Sequence, residues 1–200
     1  MSGTLLVATH NAHKTGEIRA ILGAYFDEIT DLTSIPGMEP PVEDGDTFAA
    51  NSVIKALAAS KERPDALIVA DDSGLEVDAL GGAPGIYSSR YAGEDATDAT
   101  NCEKLIEELA KPGHSEVSRA ARFRCVVTVA RAGKVEAHFY GAVEGLIADA
   151  ITGEGGFGYD PIFIPEGYEQ SFGQLSEEIK NGMSHRGRAL EGFVAWLEAQ

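Results

Sequence analysis

Apolar residues come in short blocks along this chain, and the period within the blocks changes from one segment to the next. Leu5-Leu6-Val7-Ala8-Thr9 is a mostly apolar run of strand length, which predicts a buried β-strand over residues 5–9. A helix follows. Ile18, Ile21 and Leu22 fall at i, i+3 and i+4 and give it one apolar face, and Asn11 is placed to cap it. Residues 33–46 read as a loop, with Pro36, Pro40 and Pro41 and the acids Glu39, Glu43, Asp44 and Asp46. Thr47 caps a second expected helix whose core face is Ile54, Leu57 and Ala58, with Asn51 and Lys55 sharing a flank at i, i+4. Ala66-Leu67-Ile68-Val69-Ala70 predicts a second buried strand that ends in a turn, Asp71-Asp72-Ser73-Gly74.

The second half repeats this vocabulary. Gly81-Gly82-Ala83-Pro84-Gly85 is a tight loop. Residues 101–111 form an expected helix with the stripe Cys102, Leu105, Ile106 and Leu109, ended by Pro112-Gly113. Phe123, Cys125, Val127 and Val129 alternate along a strand, Gly133 sits in a turn, and residues 135–143 return as its hairpin partner. A glycine-rich stretch covers 153–160, and Leu190, Phe193, Val194 and Leu197 form the core side of a last helix. Early strands and helices alternate and a hairpin follows, so the fold class is α/β with a mixed sheet and flanking helices. Residues 1–200 then form a single domain, built as two lobes.

Charge narrows the partners. Thirty-two acidic against 16 basic residues leave a net charge of −16, which repels a nucleic-acid polymer in most directions. A small phosphorylated ligand stays possible where a local basic pocket or a metal reverses the field. No basic segment with a long apolar stretch opens the chain and no apolar run is long enough for a membrane span, so the expected location is cytoplasmic. Two cysteines do not make a disulfide framework, and Cys102 and Cys125 both fall on apolar faces as small buried side chains.

Four features can carry chemistry, and each has a plainer alternative. Asp71 and Asp72 follow an apolar strand, where successive side chains point to opposite faces, so only one of them can serve a given side. Glu43 adds a carboxylate from a distant loop, and magnesium favours such oxygen donors; a turn and a solvated loop explain the same residues. Thr9-His10-Asn11-Ala12-His13-Lys14 joins a strand to a helix N-terminus, a setting that binds phosphate but equally an ordinary capped helix start. Phe157, Gly158, Tyr159 and Asp160 offer two aromatic faces, an approachable backbone and an acceptor for a flat base. Lys180, His185 and Arg186 bring cations near the last helix, where they meet an anion or simply solvent.

In this order the segments resemble the inosine/xanthosine triphosphate pyrophosphatase family, which clears non-standard purine nucleotides. The resemblance rests on Ala8-Thr9-His10-Asn11 with Lys14, Thr47-Phe48 through Asn51 with Lys55-Ala56, Ala70-Asp71-Asp72-Ser73-Gly74-Leu75, Gly81-Gly82-Ala83-Pro84-Gly85-Ile86-Tyr87-Ser88 with Arg90-Tyr91, Gly155 to Pro161, and Ser184-His185-Arg186-Gly187. It spans nearly the whole chain.

The resemblance implies cleavage of ITP, dITP or XTP to the monophosphate and pyrophosphate with Mg2+. Thr9 to Lys14 would hold the triphosphate. Glu43 and Asp72 would serve the metal, with Asp72 also the proton acceptor and Ser73 touching substrate. Phe157 to Asp160, Lys180, His185 and Arg186 would surround the base. The implied fold is an elongated α/β domain with a cleft between two lobes, in a homodimer. Two positions depart from the family pattern: His10 replaces a glycine, and Ala50 replaces an acid before Asn51, which removes one carboxylate from the neighbourhood of the metal. His10 keeps open a related enzyme for other modified nucleotides, and Ala50 a nucleotide-binding protein without catalysis.

Overall fold

The computed structural model describes residues 3–114 and 118–200. Six strands form one hydrogen-bonded sheet: β1 (Thr4–Val7), β2 (Glu28–Asp31), β3 (Leu67–Val77), β4 (Ala120–Arg131), β5 (Lys134–Ile147) and β6 (Phe163–Pro165). Their order is β2-β1-β3-β4-β5-β6. β1 runs parallel to both β2 and β3, while β6 is antiparallel to β5, so the sheet is mixed. The helices are α1 (Ala12–Leu22), α2 (Phe48–Glu62), α3 (Asp98–Ala110), α4 (Glu177–Met183) and α5 (His185–Glu198). None of the described helices is long and apolar enough to cross a membrane.

Contacts divide the chain into two compact units. The first contains Met1–Asp72, Cys125–Gly141 and Arg186–Gln200; the second contains Ser73–Arg124 and Ala142–His185. In the first, strand alternation sorts the core into two sets. Leu5, Val7, Leu67 and Val69 pack with Ile18 and Leu22 of α1 and with Leu190, Phe193 and Leu197 of α5. Their neighbours Leu6, Ala8, Ile68 and Ala70 pack with Ala56 and Ala59 of α2. The second unit has its own core, in which Leu75 and Val77 meet Cys102, Leu105 and Leu109 of α3 together with Phe123, Phe163 and Phe172.

Several sequence expectations change. β3 does not stop before Asp71 but continues through Asp71-Asp72-Ser73-Gly74 to Val77, because Leu75 and Val77 carry its alternation into the second core. The buried face of α2 is Phe48, Asn51, Ser52, Ala56, Ala59 and Ser60, while Ile54, Leu57 and Ala58 are only half-buried. Small side chains let this helix lie close to the sheet, so the bulkier stripe turns aside. Ser52 bonds the buried Thr128 of β4. β2, β6 and α4 carry too little pattern to be predicted: β2 has one buried residue, Ile29, and β6 is three residues long. α3 starts three residues before the expected residue 101, at a reciprocal cap between Thr97 and Thr100. Ala132 and Gly133, both at positive φ, form the turn from β4 to β5.

Both cysteines are buried thiols, and burial pushes each up to about 12. A thiol reagent therefore modifies neither Cys102 nor Cys125 in the native protein at pH 8, and modifies both once denaturant is added; reaction in the folded state would contradict this packing.

Candidate active site

The described structure gathers the expected residues into two constellations, one in each unit. In the first unit, β1 ends where the Thr9 N–H donates to the Val7 carbonyl, and α1 begins at Asn11. The Asn11 side chain accepts from the His13 and Lys14 N–H groups at 2.9 and 3.2 Å, while the Asn11 backbone N–H donates to Thr9 Oγ1 at 3.1 Å. The loop is thus ordered by its own polar groups, with His10, Asn11, Ala12 and His13 exposed beside the Lys14 stem.

Asp71 and Asp72 sit side by side on β3 and serve opposite faces, as strand geometry requires. Asp71 continues the series Leu67, Val69 toward α1 and α5. It is buried, pairs with Lys14 Nζ at 3.2 Å, and accepts from Arg186 Nη2 at 2.8 Å and Nε at 3.2 Å. Arg186, 1% exposed, also bonds Glu17. Burial works against the Asp71 carboxylate, but Lys14, Arg186 and Lys55 outweigh it and hold its pKa far below the usual carboxylate range.

Asp72 continues the series Ile68, Ala70 toward α2, and there it meets Lys55. The Lys55 ammonium donates to Asp72 Oδ1 at 2.7 Å and lies 3.1 Å from Glu43 Oε2. Burial raises the pKa of Asp72, with Lys55 offsetting only part of the rise. Burial disfavours the Lys55 cation, yet the carboxylates of Asp72, Asp71 and Glu43 more than compensate and raise its pKa. Glu43 reaches this point because its loop is pinned to α2: the Gly45 N–H donates to Asn51 Oδ1 at 2.9 Å. A Cβ at Gly45 would lie 2.7 Å from both the Ala50 Cβ and Asn51 Oδ1.

Two carboxylates from distant segments therefore converge on one cation. Their donor atoms are oxygens, suited to a hard divalent ion that fills its other positions with water and phosphate. Among the described residues no three or more His, Cys, Asp or Glu side chains gather for a metal.

The second constellation lies in the second unit. Asp160 Oδ2 accepts from the Phe157 N–H at 2.8 Å and from Lys180 Nζ at 2.5 Å, and Lys180 Nζ lies 4.7 Å from the Phe157 ring centroid. Gly156, at φ 74°, must lack a side chain because a Cβ there would run into Asp160. The Gly158 N–H donates to Asp98 Oδ2 at 2.7 Å, and its carbonyl accepts from Cys102 Sγ at 3.4 Å, so α3 grips the loop through two side chains one turn apart. Tyr159, read from sequence as a stacking candidate, is 3% exposed and donates its hydroxyl to the Ser88 carbonyl at 2.8 Å. Phe157 is half-buried, with the Lys180 ammonium over its ring. His185 stacks on Phe123, ring centroids 4.7 Å apart. Ser73 follows Asp72 directly on β3 and is half-buried.

Arg186, expected near the base, bonds Asp71 and Glu17. Lys55, Asn51, Asp98 and Cys102 were not singled out as functional from sequence. The i, i+4 spacing of Asn51 and Lys55 was the available signal, since it places a loop anchor and a cation on one helical flank.

The Ham1 family profile matches residues 5–196. Relatives named dITP/XTP pyrophosphatase include one from Desulforamulus reducens, 46% identical over 187 residues (94% of this chain and 92% of that protein). Another, from Bacillus subtilis, is 42% identical over 194 residues (97% and 96%). The solved Ham1 protein of Staphylococcus aureus is 39% identical, with a TM-score of 0.84 over 98% of each chain. A HAM1 protein from Coxiella burnetii is 36% identical, with a TM-score of 0.85 over 98% of this chain and 99% of that one. With the profile matching nearly the full length and the fold shared by both solved proteins, the chain belongs to the Ham1 family of inosine/xanthosine triphosphate pyrophosphatases.

Proposed function

We propose that the protein hydrolyses non-standard purine nucleoside triphosphates, dITP and XTP with ITP, between the α and β phosphates, with magnesium at Glu43 and Asp72. The observation that carries the site assignment is the convergence of Glu43 Oε2 and Asp72 Oδ1 on one cation, at 3.1 and 2.7 Å. The substrate class follows the names of the relatives.

Hydrolysis of a phosphoanhydride needs the polyphosphate charge neutralised and a water activated. Magnesium, when bound, would neutralise phosphate charge at the carboxylate pair. Lys14 and the polar loop Thr9 to His13 hold the rest of the triphosphate. Asp72 accepts the proton of the attacking water, and its pKa, raised by burial, makes it a better acceptor than an exposed aspartate. Asp71, held by Arg186 and Lys14, keeps the end of the first unit's β3 segment in register and fixes the Lys14 stem. Phe157 offers a ring face for the base, while the Asp160–Lys180 pair and His185 supply polar groups around it. A 6-oxo purine would pair groups that adenine leaves unsatisfied, which is the physical basis for discrimination.

The test is a product-resolved assay with Mg2+ and separate dITP, XTP, ITP and ATP. Pyrophosphate and monophosphate form from the first three, with ATP far slower; orthophosphate as first product, or equal rates on ATP, would reject the proposal. Asp72→Asn lowers kcat by about 10²–10⁴-fold with an unchanged circular dichroism spectrum. Asp71→Asn acts mainly on stability. It leaves the buried Arg186 without its main counter-charge and lowers the free energy of unfolding by about 3–5 kcal/mol in urea titrations. Adding Arg186→Met to that variant recovers part of the loss, whereas a change under about 0.5 kcal/mol in the single variant would remove the supporting role.

A further inference from the structure

Lys55 stands between the two carboxylates that the proposed function gives to a metal. Its Nζ is 2.7 Å from Asp72 Oδ1 and 3.1 Å from Glu43 Oε2, and its side chain is 11% exposed. The position is built rather than incidental. α2 is seated through Ala56 and Ala59 against Leu6, Ala8, Ile68 and Ala70, and the next residue toward its N-terminus from Ala56 is Lys55. Asn51, one turn earlier on the same flank, pins the loop that carries Glu43.

Without a cation between them, the two carboxylates would repel in this partly desolvated place, and next to Glu43 the loop offers little packing to resist that force: Val42 is exposed, and the loop's apolar contacts with the core, Ile35 and Met38, lie farther back. An ammonium and a divalent ion cannot share the point at which both oxygens aim.

We propose that Lys55 is an exchangeable counter-cation: its ammonium keeps Glu43 and Asp72 together before a divalent ion arrives, and binding of that ion requires the ammonium to withdraw. This inference rests on the reading of Glu43 and Asp72 as metal ligands. Lys55 acts through those carboxylates, so it is a positioning residue for the metal. Three consequences follow from one geometry. The ligand set is preorganised in the metal-free protein, divalent affinity is set by a competition within the protein, and the charge removed from between the carboxylates is replaced rather than added.

The experiment uses the full chain labelled with 15N-lysine, without nucleotide. The Lys55 ammonium, assigned by its loss in Lys55→Met, gives a hydrogen-bonded signal in the metal-free protein that moves or disappears on titration with MgCl2. In parallel, Mn2+ binding is followed by electron paramagnetic resonance. Lys55→Met binds Mn2+ about tenfold more tightly than the parent, the scale of one partly buried ion pair. Either a Lys55 signal that stays unchanged at saturating Mg2+, or unchanged or weaker Mn2+ binding in Lys55→Met, overturns the proposal. Asp72→Asn separates the two levels. If that variant binds Mn2+ like the parent, the metal reading itself fails; if it loses the ion while Lys55→Met gains nothing, only the role of Lys55 fails.

Discussion

The alternation of β3 is the constraint on which the first unit's chemistry depends. Two adjacent aspartates on a strand cannot share a face. Here the odd positions lead from Leu67 and Val69 to Asp71, and the even positions from Ile68 and Ala70 to Asp72. One carboxylate is therefore delivered to the α1 and α5 side and the other to the α2 side. Each helix meets its aspartate with a cation at the matching height: Lys14 on α1 and Arg186 on α5 for Asp71, Lys55 on α2 for Asp72. The roles diverge from that point. Asp71 is enclosed and strongly paired, which suits a structural anchor. Asp72 keeps a raised pKa and a partner shared with a loop, which suits a group that changes partners during a reaction.

The second constellation follows a different logic. Its loop has too many glycines to hold a shape by itself, and its form is imposed by polar contacts. Asp160 gathers the Phe157 N–H and the Lys180 ammonium, while Asp98 and Cys102 hold Gly158 from α3. Tyr159 is consumed in the same way, by the core and by Ser88. Of the two aromatic residues in this motif, Tyr159 is buried in support of the loop and Phe157 is half-buried under the Lys180 ammonium.

What the sequence reveals depends on how local the determining physics is. The Asn11 cap, the α3 stripe and the opposition of Asp71 and Asp72 are set within a few residues, and all three can be read from spacing. The face of α2 is not local. Ile54 and Leu57 look like its core because they are large, but the middle of the buried face is made of small residues, Ser52, Ala56 and Ala59. The continuation of β3 past Asp72 is equally hidden, because two charges and a glycine resemble a turn until Leu75 and Val77 are seen in a second core. Lys55 escaped notice as a functional group for a related reason. Its meaning lies in Glu43 and Asp72, 12 residues before it and 17 after, and no local pattern links them.

Gly45 shows how such a site can fail. The loop that carries Glu43 packs on one core through Ile35 and Met38 and, nearer Glu43, is fastened at a contact too tight for any side chain. A methyl group added there would press on Ala50 and Asn51 in the first turn of α2, and relief by movement of the loop would carry Glu43 away from Lys55 and Asp72. The position of a carboxylate is thus tied to a residue that carries no functional group of its own, and a substitution there would act on Glu43 through the packing of the loop on α2.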